Sequence, residues 1–314
     1  MVQKSTDPFI SIWMVTYNHA RFIKKALDSI LTQETSHSFK LIIGDDCSTD
    51  GTQTILKEYK SKYPSKIELL LNNENIGPSD NALKVYDSCN GKYTAMCEGD
   101  DYWTDSKKLE KQIKYLEENP NSVGCFHNSI CVDENDLIIS EQYFKLNHKK
   151  SYDQEAVIKE LHSTYSTASL VFRTYALKKE FDFFKKKPSD FMLDCVLTNH
   201  GNLTYLEESM SAYRIHSSGI WQGSTLLSNS KISLERFLRL YNHDEYRKKY
   251  KRYLWSKILE HYNRIIAISE DPKEIKAYKA ARLKFINFME LRSYKYLLGK
   301  VFKSLRKKSR SIVN

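Results

Sequence analysis

The chain has 314 residues, 41% of them hydrophobic and 28% charged, and a formal net charge of +10. That length can bury a large core and suits one big domain or a domain with an appendage. No apolar stretch approaches the ~20 residues that span a bilayer, residues 1–8 lack the apolar centre of a signal peptide, and six cysteines stand singly, so a soluble, intracellular protein with reduced thiols is expected rather than a disulfide framework or zinc site.

Residues 9–17 (FISIWMVTY) predict a first buried strand, rich in apolar and β-branched residues. Asn18 then reads as the N-cap of a helix whose Phe22, Ala26, Leu27, Ile30 and Leu31 share one face. A second strand over 39–44 ends in Asp45-Asp46-Cys47-Ser48-Thr49-Asp50-Gly51-Thr52, placing acids at a strand's C-terminal end. A helix over 54–63 stopped by Pro64, a strand over 66–71 and a helix over 79–89 stopped by Asn90-Gly91 follow. The apolar residues 93–97 then predict a fourth strand, which delivers Glu98-Gly99-Asp100-Asp101-Tyr102-Trp103.

Strands alternating with helices predict βαβ units and a mostly parallel sheet. Right-handed crossovers place the ends of strands one, two and four along one edge, where open α/β sheets bind ligands. Neither GxGxxG nor a Walker sequence is present, which excludes a dinucleotide fingerprint and a P-loop. Carboxylates crowded as in Glu98, Asp100 and Asp101 repel unless a cation or a raised pKa relieves them. A hard ion such as Mg²⁺ or Mn²⁺ takes such ligands together with substrate phosphates. The same residues also suit an acidic turn that caps the next helix through Asp105.

Further on, a helix over 109–116 closes at Asn119-Pro120, and a strand covers 122–127. Short strands and loops extend to about residue 150, then a helix over 156–161 and a strand over 168–173. A helix over 191–197 is introduced by Pro188-Ser189-Asp190, and a short strand over 203–206 leads to Tyr213-Arg214-Ile215-His216 and the run through Gly219 to Trp221. From about residue 226 the sequence reads as helix, which divides the chain into a domain of residues 1–224 and a basic helical extension of 225–314.

Charge follows that division. Residues 231–314 hold 23 Lys and Arg against 8 Asp and Glu, a net +15, and residues 1–230 come to about −5. Such asymmetry points to an anionic surface, either nucleic acid or the inner face of a membrane. Leu298, Val301, Phe302 and Leu305 form an apolar stripe ringed by Lys300, Lys303, Arg306, Lys307, Lys308 and Arg310. That composition suits an interfacial helix, or equally a helix packed on the protein itself. No helix-turn-helix, zinc or RNA-binding signature accompanies the charge, so nucleic acid is not an expected partner.

Four stretches, Val15-Thr16-Tyr17-Asn18, Asp45 to Thr52, Asn75-Ile76-Gly77 with Asn81, and Glu98-Gly99-Asp100-Asp101, together resemble the inverting glycosyltransferases of family 2 over roughly residues 9–222. The GDDYW string, YRIH and GIW look like a bacterial subgroup that builds surface polysaccharides. The resemblance implies an α/β, Rossmann-like nucleotide-diphospho-sugar transferase domain of GT-A type, with the helical extension appended. It implies a UDP-sugar donor, a glycan or lipid-linked acceptor, and a cytoplasmic protein peripheral to the inner face of the plasma membrane.

Residue by residue, the resemblance implies that Thr16 and Tyr17 line the nucleobase pocket, with Asn18, Gly77 and Asn81 also in the nucleotide site. Asp46, with Asp45 behind it, would accept hydrogen bonds from base or ribose. Asp100 would ligate Mn²⁺ or Mg²⁺ between the two phosphates, flanked by Glu98 and Asp101. Arg214 would hold phosphate, His216 would complete the metal shell, and Trp221 would stack on an acceptor sugar or anchor the extension. Asp190 would be the base that takes the acceptor's proton, with Asp194 one helical turn on. Glu98 stands where the family usually has Asp, which also raises the reading of a non-catalytic nucleotide-sugar-binding scaffold.

Overall fold

A computed structural model describes residues 7–144, 149–161, 165–217 and 225–287. The chain divides into two compact units, Met1–Gly219 and Ile220–Asn314.

The first unit is built on four strands: β1 (Ile10–Thr16), β2 (Phe39–Asp45), β3 (Ile67–Leu71) and β4 (Tyr93–Met96). β1 is buried along almost its whole length because helices cover both faces of a parallel sheet. One face meets α1 (Ile23–Leu31), whose Ile23, Ala26, Leu27 and Ile30 join Ile12, Met14, Leu41 and Ile43 in the core. The other meets α3 (Pro78–Ser88), where Trp13 stacks on Tyr86 at 5.0 Å and its indole N–H donates to Ala82 O. On the α1 side also lies α2 (Thr52–Lys62), whose Leu56 joins the same core and whose Tyr59 hydroxyl donates to Asp28 Oδ1. α1 starts at Ile23 with Phe22 at its cap, not at Asn18, which adopts a left-handed φ of 56° and uses its carboxamide elsewhere.

After β4 come β5 (Tyr102–Trp103), α4 (Lys108–Glu118), β6 (Ser122–His127), β7 (Ile130–Val132), β8 (Ile138–Ser140), β9 (Ser151–Tyr152) and the single turn α5 (Gln154–Ala156). They are followed by β10 (Val171–Arg173), α6 (Thr174–Phe184), α7 (Asp190–Leu197), β11 (Asn202–Leu206) and β12 (Ser211–Arg214). The main sheet has the order β3-β2-β1-β4-β10-β6-β11-β9. β3, β2, β1 and β4 run parallel, β10 lies antiparallel between β4 and β6, and β11 returns parallel to β6. The order β2-β1-β4 sets the C-terminal ends of those three strands side by side.

A second sheet, β5-β12-β7-β8, draws two of its strands from the stretch that the sequence reads as short strands and loops. Its strands are two to four residues long, too short for a period-two pattern to register. Two other elements differ from the local reading. Residues 167–169 form a 3₁₀ turn before β10, and the turn α5 passes into a π-helical stretch over Val157–Leu161.

The second unit contains α8 (Leu226–Asn242), α9 (Asp244–Ile268) and α10 (Pro272–Asn287). Thr225 opens α8 with a reciprocal capping box to Ser228. Phe237 of α8 stacks on His261 of α9 at 5.6 Å, and Tyr262 of α9 meets Phe285 of α10 at 6.2 Å. No helix among the described residues is long and apolar enough to cross a membrane. The amphipathic stripe at Leu298–Leu305, with Gly219 and Trp221, lies outside the described residues.

Candidate functional site

The strand ends carry the site residues onto one edge. Beyond β4 the chain keeps pairing with β1, since Cys97 N donates to Trp13 O and Gly99 N to Val15 O at 2.9 Å. Glycine is required at position 99: a Cβ there would stand 2.7 Å from Thr16 Oγ1 and 2.9 Å from Ile23. Thr16 is buried against this turn, and its hydroxyl has no hydrogen-bond partner among the described residues. Next to it Tyr17 is 44% exposed, so its ring face is open.

The acids after β2 turn inward. Asp45 is fully buried and accepts from Ser48 N, Ser48 Oγ and Gln53 Nε2. Asp46 accepts from the backbone amides of Ile76 (2.8 Å) and Gly77 (2.9 Å) and from Asn72 Nδ2. It thereby fixes the turn before α3, where Gly77 has a φ of +87° that a side chain would strain. Asn81, also buried, donates to Gly44 O and accepts from Asn72. Asp45, Asp46 and Asn81 therefore brace the turns behind this edge.

This segment also holds the turn after β1. Asn18 N donates to Ser48 Oγ, His19 N to Thr52 Oγ1 and Ala20 N to Asp50 Oδ2, while Asn18 Oδ1 accepts from Thr49 N. Three successive amides are thus clamped, and the residue they present is His19.

His19 was not among the residues singled out from sequence. Its Nε2 lies 3.8 Å from Asp100 Oδ2. His216 Nε2 lies 3.0 Å from the same oxygen, and the two imidazoles meet edge to face at 6.0 Å. One ligand atom from each of His19, Asp100 and His216 falls within 4.8 Å of the others. Two imidazoles and one carboxylate are a donor set that fits a divalent metal. The only local hint of His19 was its place directly after a strand end.

The carboxylates of the turn differ sharply. Burial would raise the Asp100 carboxyl, but the His216 hydrogen bond and the charge of His19 outweigh it and hold it below the usual range. Burial, with the charges of Asp100 and Glu98, pushes Asp101 well above that range. Asp101 sits 3% exposed and accepts from Arg214 N at 2.8 Å, which ties the turn to β12. Burial, then the charges of Asp100 and Asp190, raise Glu98 to about 8, and Glu98 Oε2 is buried with no hydrogen-bond partner among the described residues.

Arg214 is 4% exposed and committed to the protein. Its Nε donates to Asp100 O at 2.9 Å, one terminal nitrogen to Asp133 O at 2.9 Å and the other to Asp136 at 2.6 Å, with the guanidinium 4.6 Å over the Phe22 ring. In this arrangement it locks the backbone that carries Asp100.

Asp190 is the first residue of α7 and half-buried, and Ser189 rather than Asp190 provides the cap, accepting from Met192 N at 3.3 Å. Its charge is one of the causes that raise Glu98. Asp194 is fully buried and accepts the Tyr165 hydroxyl. The two acids of α7 therefore sit in different surroundings.

A model of the family described as glycosyl transferase family 2 matches residues 11–181. An uncharacterized protein of Mycobacterium tuberculosis is 35% identical over 217 residues, which are 68% of this chain and 61% of that protein. The match thus spans less than two thirds of that relative. A Bacillus subtilis protein, TuaG, named for glycosyl transfer in teichuronic acid biosynthesis, is 36% identical over 111 residues, 35% of this chain and 43% of its own. Staphylococcus aureus TarS, solved as residues 1–349 with UDP-GlcNAc, has a TM-score of 0.63 at 17% identity, covering 90% of this chain and 82% of that one. That last likeness is one of fold.

Proposed function

Because the chain belongs to glycosyl transferase family 2, we propose that it moves a sugar, with inversion, from a nucleotide-diphospho-sugar to a hydroxyl of a growing glycan or glycolipid. A UDP-sugar is the proposed donor and cell-surface polysaccharide synthesis the setting. The names of TuaG and of the UDP-GlcNAc complex of TarS support that choice. The observation that carries the reading is the meeting of Asp100, His19 and His216 at the β1–β4 edge, with the charge of Asp190 among the causes that raise Glu98.

The roles follow from the surroundings. The exposed ring of Tyr17 offers a stacking face to the nucleobase. Asp100 and His216 would hold Mn²⁺ or Mg²⁺, which when bound neutralises the charge of the diphosphate leaving group. Glu98, whose buried Oε2 has no hydrogen-bond partner among the described residues, would bond a hydroxyl of the donor. Asp190 accepts the proton of the acceptor hydroxyl as that oxygen attacks the anomeric carbon from the face opposite the leaving group. Burial of Asp194 under Tyr165 favours Asp190 as the base. We assign the basic segment after Gly299 to docking on an anionic membrane; truncation there should abolish vesicle flotation, and unchanged flotation would remove that role.

The test is a thermal-shift screen of UDP-sugars with and without Mn²⁺, since ligand affinity for the folded state appears as a shift. One donor should stabilise the chain in a metal-dependent way, and Asp100→Ala should remove the metal-dependent part. An unchanged shift in that variant would take Asp100 out of the site.

A further inference from the structure

We propose that His19 is a third protein ligand, so that His19, Asp100 and His216 load a transition-metal ion such as Mn²⁺ before the nucleotide arrives and select it over Mg²⁺. The proposal rests on the metal–diphosphate reading above and adds to it the order of binding and the choice of ion.

The first argument is the number of ligands. A site with one or two carboxylates holds Mg²⁺ only together with substrate phosphates. Here three side chains bring donor atoms within 4.8 Å of one another. Three protein ligands would still leave room on the ion for diphosphate oxygens and water.

The second argument is donor chemistry. Imidazole nitrogen suits first-row transition ions, Fe²⁺, Ni²⁺ and Zn²⁺ more than Mn²⁺, whereas Mg²⁺ is held by carboxylate, carbonyl and water oxygens. Two imidazoles against one carboxylate therefore tip the set away from Mg²⁺. Asp100 supplies the charge, and the histidines supply the discrimination.

The third argument is what His19 does without an ion. Its Nε2 is 3.8 Å from Asp100 Oδ2, beyond hydrogen-bonding reach, and its buried Nδ1 has no hydrogen-bond partner among the described residues. A buried ring nitrogen left without a hydrogen bond is costly. Yet the backbone under it is among the most tightly held in the site, with the amides of Asn18, His19 and Ala20 bound to Ser48, Thr52 and Asp50. The Asp45–Thr52 segment thus acts as a clamp that aims His19 at Asp100, and Thr52 is a positioning residue that acts through it.

The experiment follows free Mn²⁺ by electron paramagnetic resonance while nucleotide-free full-length chain is titrated in. Wild-type chain should deplete the Mn²⁺ signal without UDP, and a ~100-fold excess of Mg²⁺ should fail to restore it. His19→Ala should weaken Mn²⁺ binding by at least about 10-fold, the scale on which metal sites respond to loss of a supporting group. His19→Gln, with an oxygen donor in place of nitrogen, should narrow the gap between Mn²⁺ and Mg²⁺. Thr52→Val, which keeps shape but removes the hydroxyl acceptor, should weaken binding by less than His19→Ala.

Mn²⁺ binding by His19→Ala equal to wild type overturns the proposal, as does ready displacement by Mg²⁺. Depletion seen only when UDP is added also overturns it, while leaving Asp100 and the diphosphate as the metal site. No depletion with or without UDP removes the metal from the proposed function as well.

Discussion

Lys108 is a basic side chain sealed in the core beside Trp103, and replacing it gives a measurable consequence. It is fully buried, its Nζ donates to Gln112 Oε1 at 2.7 Å and it stands 4.3 Å over the Trp103 ring. No carboxylate pairs with it among the described residues, and burial lowers its pKa from 10.5 to about 7. Each pKa unit is ~1.36 kcal/mol, so charging Lys108 in the folded state costs about 5 kcal/mol at most. Below pH 7 both states carry the proton and the native state bears the full cost. Between 7 and 10.5 the unfolded chain binds a proton that the native chain lacks, so stability rises with pH through that window.

Lys108→Met keeps the length of the side chain and removes the ammonium. Gln112 Oε1 then loses its donor, which costs ~1–3 kcal/mol, while Gln112 Nε2 still donates to Ser169 O and Cys125 O. The net gain should be about 1–3 kcal/mol near pH 6.5. Because only the wild type titrates at this position, the advantage of the variant should shrink by ~3 kcal/mol between about pH 6.5 and 9.5. Urea unfolding of both proteins at the two pH values measures this difference, and groups common to both cancel. An advantage that does not change with pH would refute the reasoning.

Three other outcomes are expected. Asp190→Asn should lower transfer by ~10²–10⁴-fold while UDP affinity by calorimetry stays within about twofold; turnover near wild type would pass the role of base to another group. Gly99→Ala forces a Cβ to within 2.7 Å of Thr16 Oγ1 and 2.8 Å of Thr16 Cβ, so it should cost ~1–3 kcal/mol by chemical denaturation, and a silent result would mean that β1 yields to the turn. Tyr17→Ala should weaken nucleotide binding by ~1–3 kcal/mol of lost stacking without moving the unfolding midpoint, because the ring is 44% exposed; equal affinity in a fluorescence titration would remove it from the base pocket.

The parts legible in the sequence are those that local pattern carries. Near-continuous apolar runs bounded by polar tips mark β1, β2 and β4 because strands covered on both faces need no alternation. Their alternation with helices then places Thr16, Asp45 and Glu98 on one edge before any coordinates are known. The Gly99 turn and its acids followed from the same reading.

What only the tertiary structure decided is which of those residues share work with distant ones. The local pattern marks Asp45, Asp46 and Asn81 as polar tips, and the structure adds their partners: Ser48, Gln53, the amides of Ile76 and Gly77, and Asn72. Arg214 spends its donors on the backbone of Asp100 and Asp133 and on Asp136, across a sheet whose two- to four-residue strands leave no periodic trace. His216 reaches Asp100 from 116 positions away. His19 joins them because hydroxyls and a carboxylate from the turn after β2 clamp its backbone. Local sequence determines where a strand ends and what tips it. Which tips meet depends on the pairing order of strands and on hydrogen bonds closed across long loops, and neither is encoded within a single window of the chain.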